Sequence, residues 1–331
     1  MRARMFSLTL AASLGLTLAA CSEDVVPELQ APTVPEYAPP ALSEIQIQDI
    51  LADIAASIEA ADEADDAAEL GDRVTAPATD IREAQYALEV ATGGETTPQE
   101  LWTETDLDVI TASDSWPRSL LAVTEPDADS ALRLYLGIVQ EGPRDPYRLV
   151  AWSLLLPGVE TPTFADISVG SAPVTADQEG LVMTPTQALT RLADVLDLRT
   201  SEYADQFADD DYRTFLREEL DGIVEGIEVA GDVDQAVEPG EIVFAIGTAE
   251  GGALVMGDLT TTVTLRRTVE DSELNLAGEM AELGGEEAVE NAAEATYRSM
   301  VTLYIPPADA EDQSVRLLGA ERVLASVERI E

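Results

Sequence analysis

Seven apolar runs of strand character, three in one half of the chain and four in the other, commit much of this sequence to antiparallel sheet. The first three are "RSLLAVTE" at 118–125, "ALRLYLGIVQ" at 131–140 and "YRLVAWSLLLPG" at 147–158. The turn signal Gly142-Pro143-Arg144-Asp145-Pro146 joins the last two, and connections this short suit hairpins. The later runs are "EIVFAIGTA", "ALVMGDLTTTVTLRRT", "TYRSMVTLYIPP" and "VRLLGAERVLASVERI", with Glu250-Gly251-Gly252 as the turn between the first two. In the third run Arg148, Val150, Trp152 and Leu154 share one face, and Leu149, Ala151, Ser153 and Leu155 share the other. Both faces are mostly apolar, so this strand is expected at the centre of a sheet covered on both sides.

Helices are expected ahead of each set of strands. Ile47, Ile50, Leu51, Ile54 and Ile58 fall at helical spacing within residues 43–60. A second start is marked by Thr184-Pro185, with Leu189, Leu192, Val195 and Leu196 following. The period resumes from Tyr203 and Phe207 through Tyr212, Phe215, Leu216, Leu220, Ile223 and Ile227. Residues 158–183 are rich in Gly, Pro, Ser and Thr and hold no sustained period, which marks a boundary.

A chain of 331 residues can hold two ordinary domains. The reading is therefore an α+β protein of two helix-then-antiparallel-sheet domains, 43–158 and 184–331, joined by a linker at 159–183. Two short matches suggest duplication: Leu51-Ala52-Asp53-Ile54 with Leu192-Ala193-Asp194-Val195, and Tyr147-Arg148 with Tyr297-Arg298. In element order each half resembles the cone-shaped fold of nuclear-transport-factor-2-like domains. The segments "SDSWPRSLLAVTE", "GPRDPYRLVAWSLLLPG" and "VRLLGAERVLASVERI" resemble a domain family of actinobacterial cell-envelope lipoproteins. That resemblance implies envelope attachment and brings no assigned activity or functional residue.

The N-terminus points the same way. Arg2 and Arg4 precede an apolar stretch from Met5 to Leu18, too short to span a bilayer, with small residues at Ala19 and Ala20. Residues 1–20 read as a secretory signal, and Leu18-Ala19-Ala20-Cys21 resembles the bacterial lipobox. Cys21 is the only cysteine. An intrachain disulfide is thus excluded, and no histidine or lysine stands by to activate a catalytic thiol. Lipidation of Cys21 is the expectation, with the protein held at the extracytoplasmic face of the cell membrane, since two acyl chains anchor stably. Residues 21–42 carry Pro27, Pro32, Pro35, Pro39 and Pro40 and read as an extended tether. At ~3.1 Å per residue it reaches up to about 60 Å.

Charge narrows the chemistry. Acidic residues number 65 against 18 basic ones, all arginine, for a net charge of −47 with no histidine. This usage fits a GC-rich genome or adaptation to salt. The missing histidine and lysine exclude Ser-His-Asp and Cys-His sites, histidine-ligated metals, Schiff bases and phosphate-loop lysines. Nucleic acid would be repelled. A non-catalytic binding or scaffolding role follows, with no cofactor or metal, and with an envelope protein or a small ligand as partner. A carboxylate-dependent hydrolase of wall polysaccharide is the alternative, for which no particular acid pair stands out.

Two kinds of cluster merit weighing. Asp62, Asp65, Asp66 and Glu69, the Asp209–Asp211 run, and Asp232 with Asp234 lack calcium-loop spacing and read as solvated faces or acidic turns. Trp116, Arg118, Arg144, Tyr147, Arg148 and Trp152 form the candidate ligand pocket, with planar arginine forks to grip an anion beside indole walls. The plainer account packs Trp152 in the core and pairs the arginines with acids such as Asp114 and Asp145.

Overall fold

The computed structural model describes residues 38–128, 131–197, 200–285 and 288–330. The expected signal at 1–20, Cys21 and the tether up to residue 37 therefore lie outside the described residues.

Helix α1 (Glu44–Ala64) forms because one stripe, Ile47, Leu51, Ile54, Ile58 and Ala61, is apolar and buried. The backbone N–H of Ser43 donates to Gln46 Oε1 at 3.0 Å, closing its first turn. Helix α2 (Ala78–Ala91) was not anticipated, because its buried stripe mixes Ile81, Tyr86 and Leu88 with Arg82 and Gln85. Four strands follow: β1 (Thr105–Ile110), β2 (Arg118–Thr124), β3 (Leu134–Gln140) and β4 (Arg148–Leu155). Only β1 escaped the sequence reading.

The second half also sets two helices ahead of four strands, with a further short helix among the strands. Helices α3 (Pro185–Asp197) and α4 (Asp211–Ile227) precede β5 (Gly231–Gly247) and β6 (Ala253–Arg267). A short helix α5 (Glu279–Gly284) then leads to β7 (Ala292–Ile305) and β8 (Arg316–Ile330). Asp232 and Asp234, expected in a turn, lie in the exposed first half of β5. That strand is the outer edge of the sheet, where acidic side chains discourage pairing with another chain.

The main departure from expectation is that the two sheets are one. The strand order β1-β2-β3-β4-β8-β7-β6-β5 is antiparallel throughout and curls into a half-barrel. Strands β4 and β8, where the two halves join, pair at Leu154 with Ala320 and Leu155 with Gly319. A Cβ at Gly319 would stand 2.6 Å from Ser153 Oγ and 2.8 Å from the Leu154 carbonyl oxygen, so this seam requires glycine. As expected, β4 is central, with Leu149, Ala151, Trp152 and Ser153 all buried.

The expected linker ties the halves together as well. Ser171 bridges to Thr111, Pro173 to Ile246 and Leu181 to Pro307. Its backbone groups find partners at sheet edges although its sequence has no period. The core around α1, α2 and β1–β4 likewise takes in Phe244, Ile246, Leu254, Met256, Met300 and Tyr304 from the second half. Gly137 of β3 sits where a Cβ would meet Met256 Sδ at 2.6 Å and the Phe244 ring at 3.1 Å, which lets the curled sheet close on itself. A second cluster packs α3 on β5–β8, and a third gathers Ile227, Met280 and Leu324.

Of the two internal matches, the first falls on corresponding helices. Leu51 and Ile54 are buried in α1, and Leu192 and Val195 are buried in α3. The second does not, since Tyr147-Arg148 sits at the start of β4 and Tyr297-Arg298 in the middle of β7.

Candidate functional site

Where the curled sheet brings β5 back over β2 and β3, it leaves an open trough. A cavity of about 580 Å³ is bounded by the approach to β2 (Ser113, Ser115, Trp116), by Val139 and Glu141 at the end of β3, by Pro173–Ala176, and by Ile242–Ala245 of β5. A second cavity of about 340 Å³ shares Val139, Glu141, Ile242 and Val243 with the first and continues to Arg148 and Glu241. The two share walls at these residues, and each lies in the size range of ligand sites.

Trp116 is the wall residue held most firmly. Its indole N–H donates to Gln140 Oε1 at 3.1 Å, and the Arg118 guanidinium lies 4.4 Å from the ring centroid. Gln140 in turn donates to the Asp145 carbonyl oxygen at 2.9 Å. Tyr147 is buried beside Arg118; burial pushes its hydroxyl pKa up, and the arginine charge pulls it part of the way back.

The six residues of the expected pocket are thus divided. Trp116 lines the larger cavity, with Arg118 stacked on its ring and Tyr147 beside Arg118, neither of which lines that cavity. Arg148 lines the second cavity and donates from Nε to the Asp72 carbonyl oxygen at 3.2 Å. Arg144 is exposed in the turn before β4. Trp152 is buried in the core, as the plainer account had it. No arginine fork points into the larger cavity among the described residues that line it.

Trp152 leads to a site that sequence reasoning missed. Beyond Ala320 the strands β4 and β8 part, and α2 packs into the fork between them. Buried there is Glu321, whose Oε1 accepts from Gln85 Nε2 at 2.9 Å. Gln85 Oε1 accepts from Arg82 Nη1 at 3.0 Å, and the Gln99 carbonyl oxygen accepts from the same nitrogen at 2.6 Å. Arg82 also pairs with Asp62, which accepts from the Tyr86 hydroxyl as well. Burial raises the Glu321 carboxyl to about 7, against the opposing influence of Arg82, Trp152 and Gln85.

A cleft of about 190 Å³ opens beside it, edged by Glu219, Glu279, Tyr297 and Arg322. Arg322 bonds Glu219 at 2.8 Å and lies 3.6 Å from the Tyr297 centroid. That volume falls below the usual size of a ligand site. A signal for Glu321 existed: it shares its strand face with Gly319 and Val323 in an otherwise apolar run, so a charge there points inward.

The acidic clusters are engaged in local structure. Asp62 is taken by Arg82, Asp66 accepts from Ala68 N at 2.9 Å, and Asp210 caps α4 by accepting from Arg213 N at 2.8 Å. Among the described residues no group of three or more acidic or cysteine side chains is placed to hold a metal ion. Among the same residues no helix is long and apolar enough to cross a membrane.

The family model described as a domain of unknown function, DUF8094, matches residues 38–328, and the chain belongs to that family. No curated protein and no solved structure matches it.

Proposed function

We propose that this chain is an exported lipoprotein, anchored through Cys21 at the extracytoplasmic face of the membrane, that binds a partner or small ligand without catalysing a reaction. One observation carries the binding role: the trough between β5 and β2–β3 is left open beside a tryptophan fixed by Arg118 and Gln140. A folding chain has every reason to fill such a gap with side chains. The lipobox-like Leu18-Ala19-Ala20-Cys21 and the proline-bearing stretch after it support the anchor.

We also read the halves as two copies of one helix-helix-four-strand unit of cone-shaped, nuclear-transport-factor-2-like plan, fused through the β4–β8 seam. The symmetric strand order and the Leu51/Leu192 and Ile54/Val195 correspondence support this. The lysine-free composition supports an actinobacterial envelope as the setting.

Two experiments test the proposal. Cys21→Ser should move the protein from the membrane fraction to the soluble one, or leave it unprocessed; unchanged partitioning into the detergent phase refutes the anchor. The neutral apolar dye Nile red should bind the folded chain saturably and be lost at least tenfold in Val243→Arg, which drives a charge into both cavities. Undiminished dye binding in that variant, with folding intact, refutes the trough as the site.

A further inference from the structure

Resting on the trough as the binding site, we infer that its ligand is a neutral saccharide chain of a few rings. Three observations converge. The 580 Å³ cavity has Glu141 as its one charged wall residue and no arginine among the described residues that line it, so an anionic ligand would enter unpaired. Its polar walls are mostly hydroxyls and an amide, including Ser115, Thr175 and Gln178, with Ser113 buried behind Ser115 and bonded to it at 3.1 Å. Such groups both donate and accept, matching a ligand that carries hydroxyls. Trp116 remains 37% exposed at the wall, with its tilt set by Gln140 and Arg118.

A pyranose ring has one face of C–H groups, slightly positive, and a rim of hydroxyls. The negative face of an indole receives the first and the serine-lined wall receives the second. Glu141, shared by both cavities, can accept from two neighbouring hydroxyls at once. A 580 Å³ cavity with a second one adjoining it at Glu141 has room for more than a single ring. A cationic peptide, the rival occupant for so acidic a protein, would call for carboxylates along both cavities. The walls instead present Glu141 at the junction and Glu241 in the second cavity beside Arg148.

The test titrates the intact chain in detergent with maltotriose, cellotriose and tri-N-acetylglucosamine, following tryptophan fluorescence and calorimetric heat, with an arginine-rich peptide and Nile red in parallel. At least one trisaccharide should bind saturably, weakened tenfold or more by Trp116→Ala and by Glu141→Gln and unchanged by Trp102→Phe, a tryptophan that lines neither cavity and donates to the Glu125 carbonyl oxygen at 2.8 Å. If the trisaccharides leave both signals flat while Nile red binds and Val243→Arg removes it, the saccharide assignment falls and the trough stands. Peptide binding that depends on Glu141, without saccharide binding, overturns the assignment in favour of a basic segment. If neither probe class nor the dye binds, the assignment and the trough fall together.

Discussion

The sheet is interrupted in two places, and they are treated in opposite ways. At the β4–β8 fork α2 enters the gap, and Arg82, Gln85 and Glu321 are buried and hydrogen-bonded in series, with only a small cleft left beside them. At the trough, β5 returns over β2 and β3 and the space between stays open, walled by small hydroxyls and one braced indole. Buried polar groups that are mutually hydrogen-bonded mark a joint. A rigid aromatic beside an unfilled cavity marks a place for something else. The contrast separates a structural polar cluster from a candidate site more sharply than charge or conservative residue type does, since both regions hold arginine, glutamate and tryptophan.

Substitutions at the fork should therefore strike stability and those at the trough should not. The largest effect is expected from Arg82→Ala, which strips Asp62, Gln85 and the Gln99 carbonyl of their shared donor. With Asp62 partly solvated, the loss should be about 3 kcal/mol in chemical denaturation. A loss below ~1 kcal/mol would mean that α2 is held by its apolar contacts alone, and the fork would cease to differ from ordinary surface.

Next comes the pH dependence of Glu321. Its folded pKa, raised to about 7, exceeds the ordinary glutamate value of 4.5. The unfolded chain therefore releases this proton first, and the associated stability is complete below pH 4.5 and lost as pH rises through 7. The span is on the order of 3 kcal/mol. Glu321→Gln preserves an amide for Gln85 to bond and removes the titration. Because the many other carboxylates titrate in both proteins, the measured quantity is the difference between wild type and variant. That difference should turn toward the variant between pH 5 and 8, and a flat difference would place the carboxyl in contact with solvent.

The smallest effect is expected from Trp116→Ala. Its ring contributes an exposed wall and one hydrogen bond to Gln140, so unfolding should shift by only about 0.5–1 kcal/mol. A shift comparable to that of Arg82→Ala would make the trough wall a structural joint like the fork.

Particular residues show how far the sequence could be read. The apolar alternation in β2, β3, β4, β6, β7 and β8 was legible because each strand buries side chains along its own length. The α1 stripe from Ile47 to Ala61 was legible for the same reason. Helix α2 was not, because Arg82 and Gln85 occupy positions where a helical pattern expects apolar groups, and their partner Glu321 is 236 residues away from Gln85. Of the expected pocket residues, Trp116 lines the trough and stacks against Arg118, two positions along the chain, while Tyr147 comes to lie beside Arg118 from the start of β4, two strands away. Trp152 is buried in the core, while Arg148 at the start of the same strand reaches the Asp72 carbonyl oxygen and the second cavity.

By itself the sequence determined an α+β chain with helices ahead of antiparallel strands, a lone cysteine in a lipobox-like context, and chemistry without histidine or lysine. These depend on residue type and on periods of two and 3.6, which are local properties. Only the tertiary structure decided that two expected sheets are one, that Glu321 is buried in a fork, and that the trough stays open beside Trp116. Each of these turns on where distant segments meet, and the meeting of β4 with β8 rests on two residue pairs and a glycine that allows their backbones to touch. No local pattern encodes such a contact, because its free energy exists only once both halves have folded.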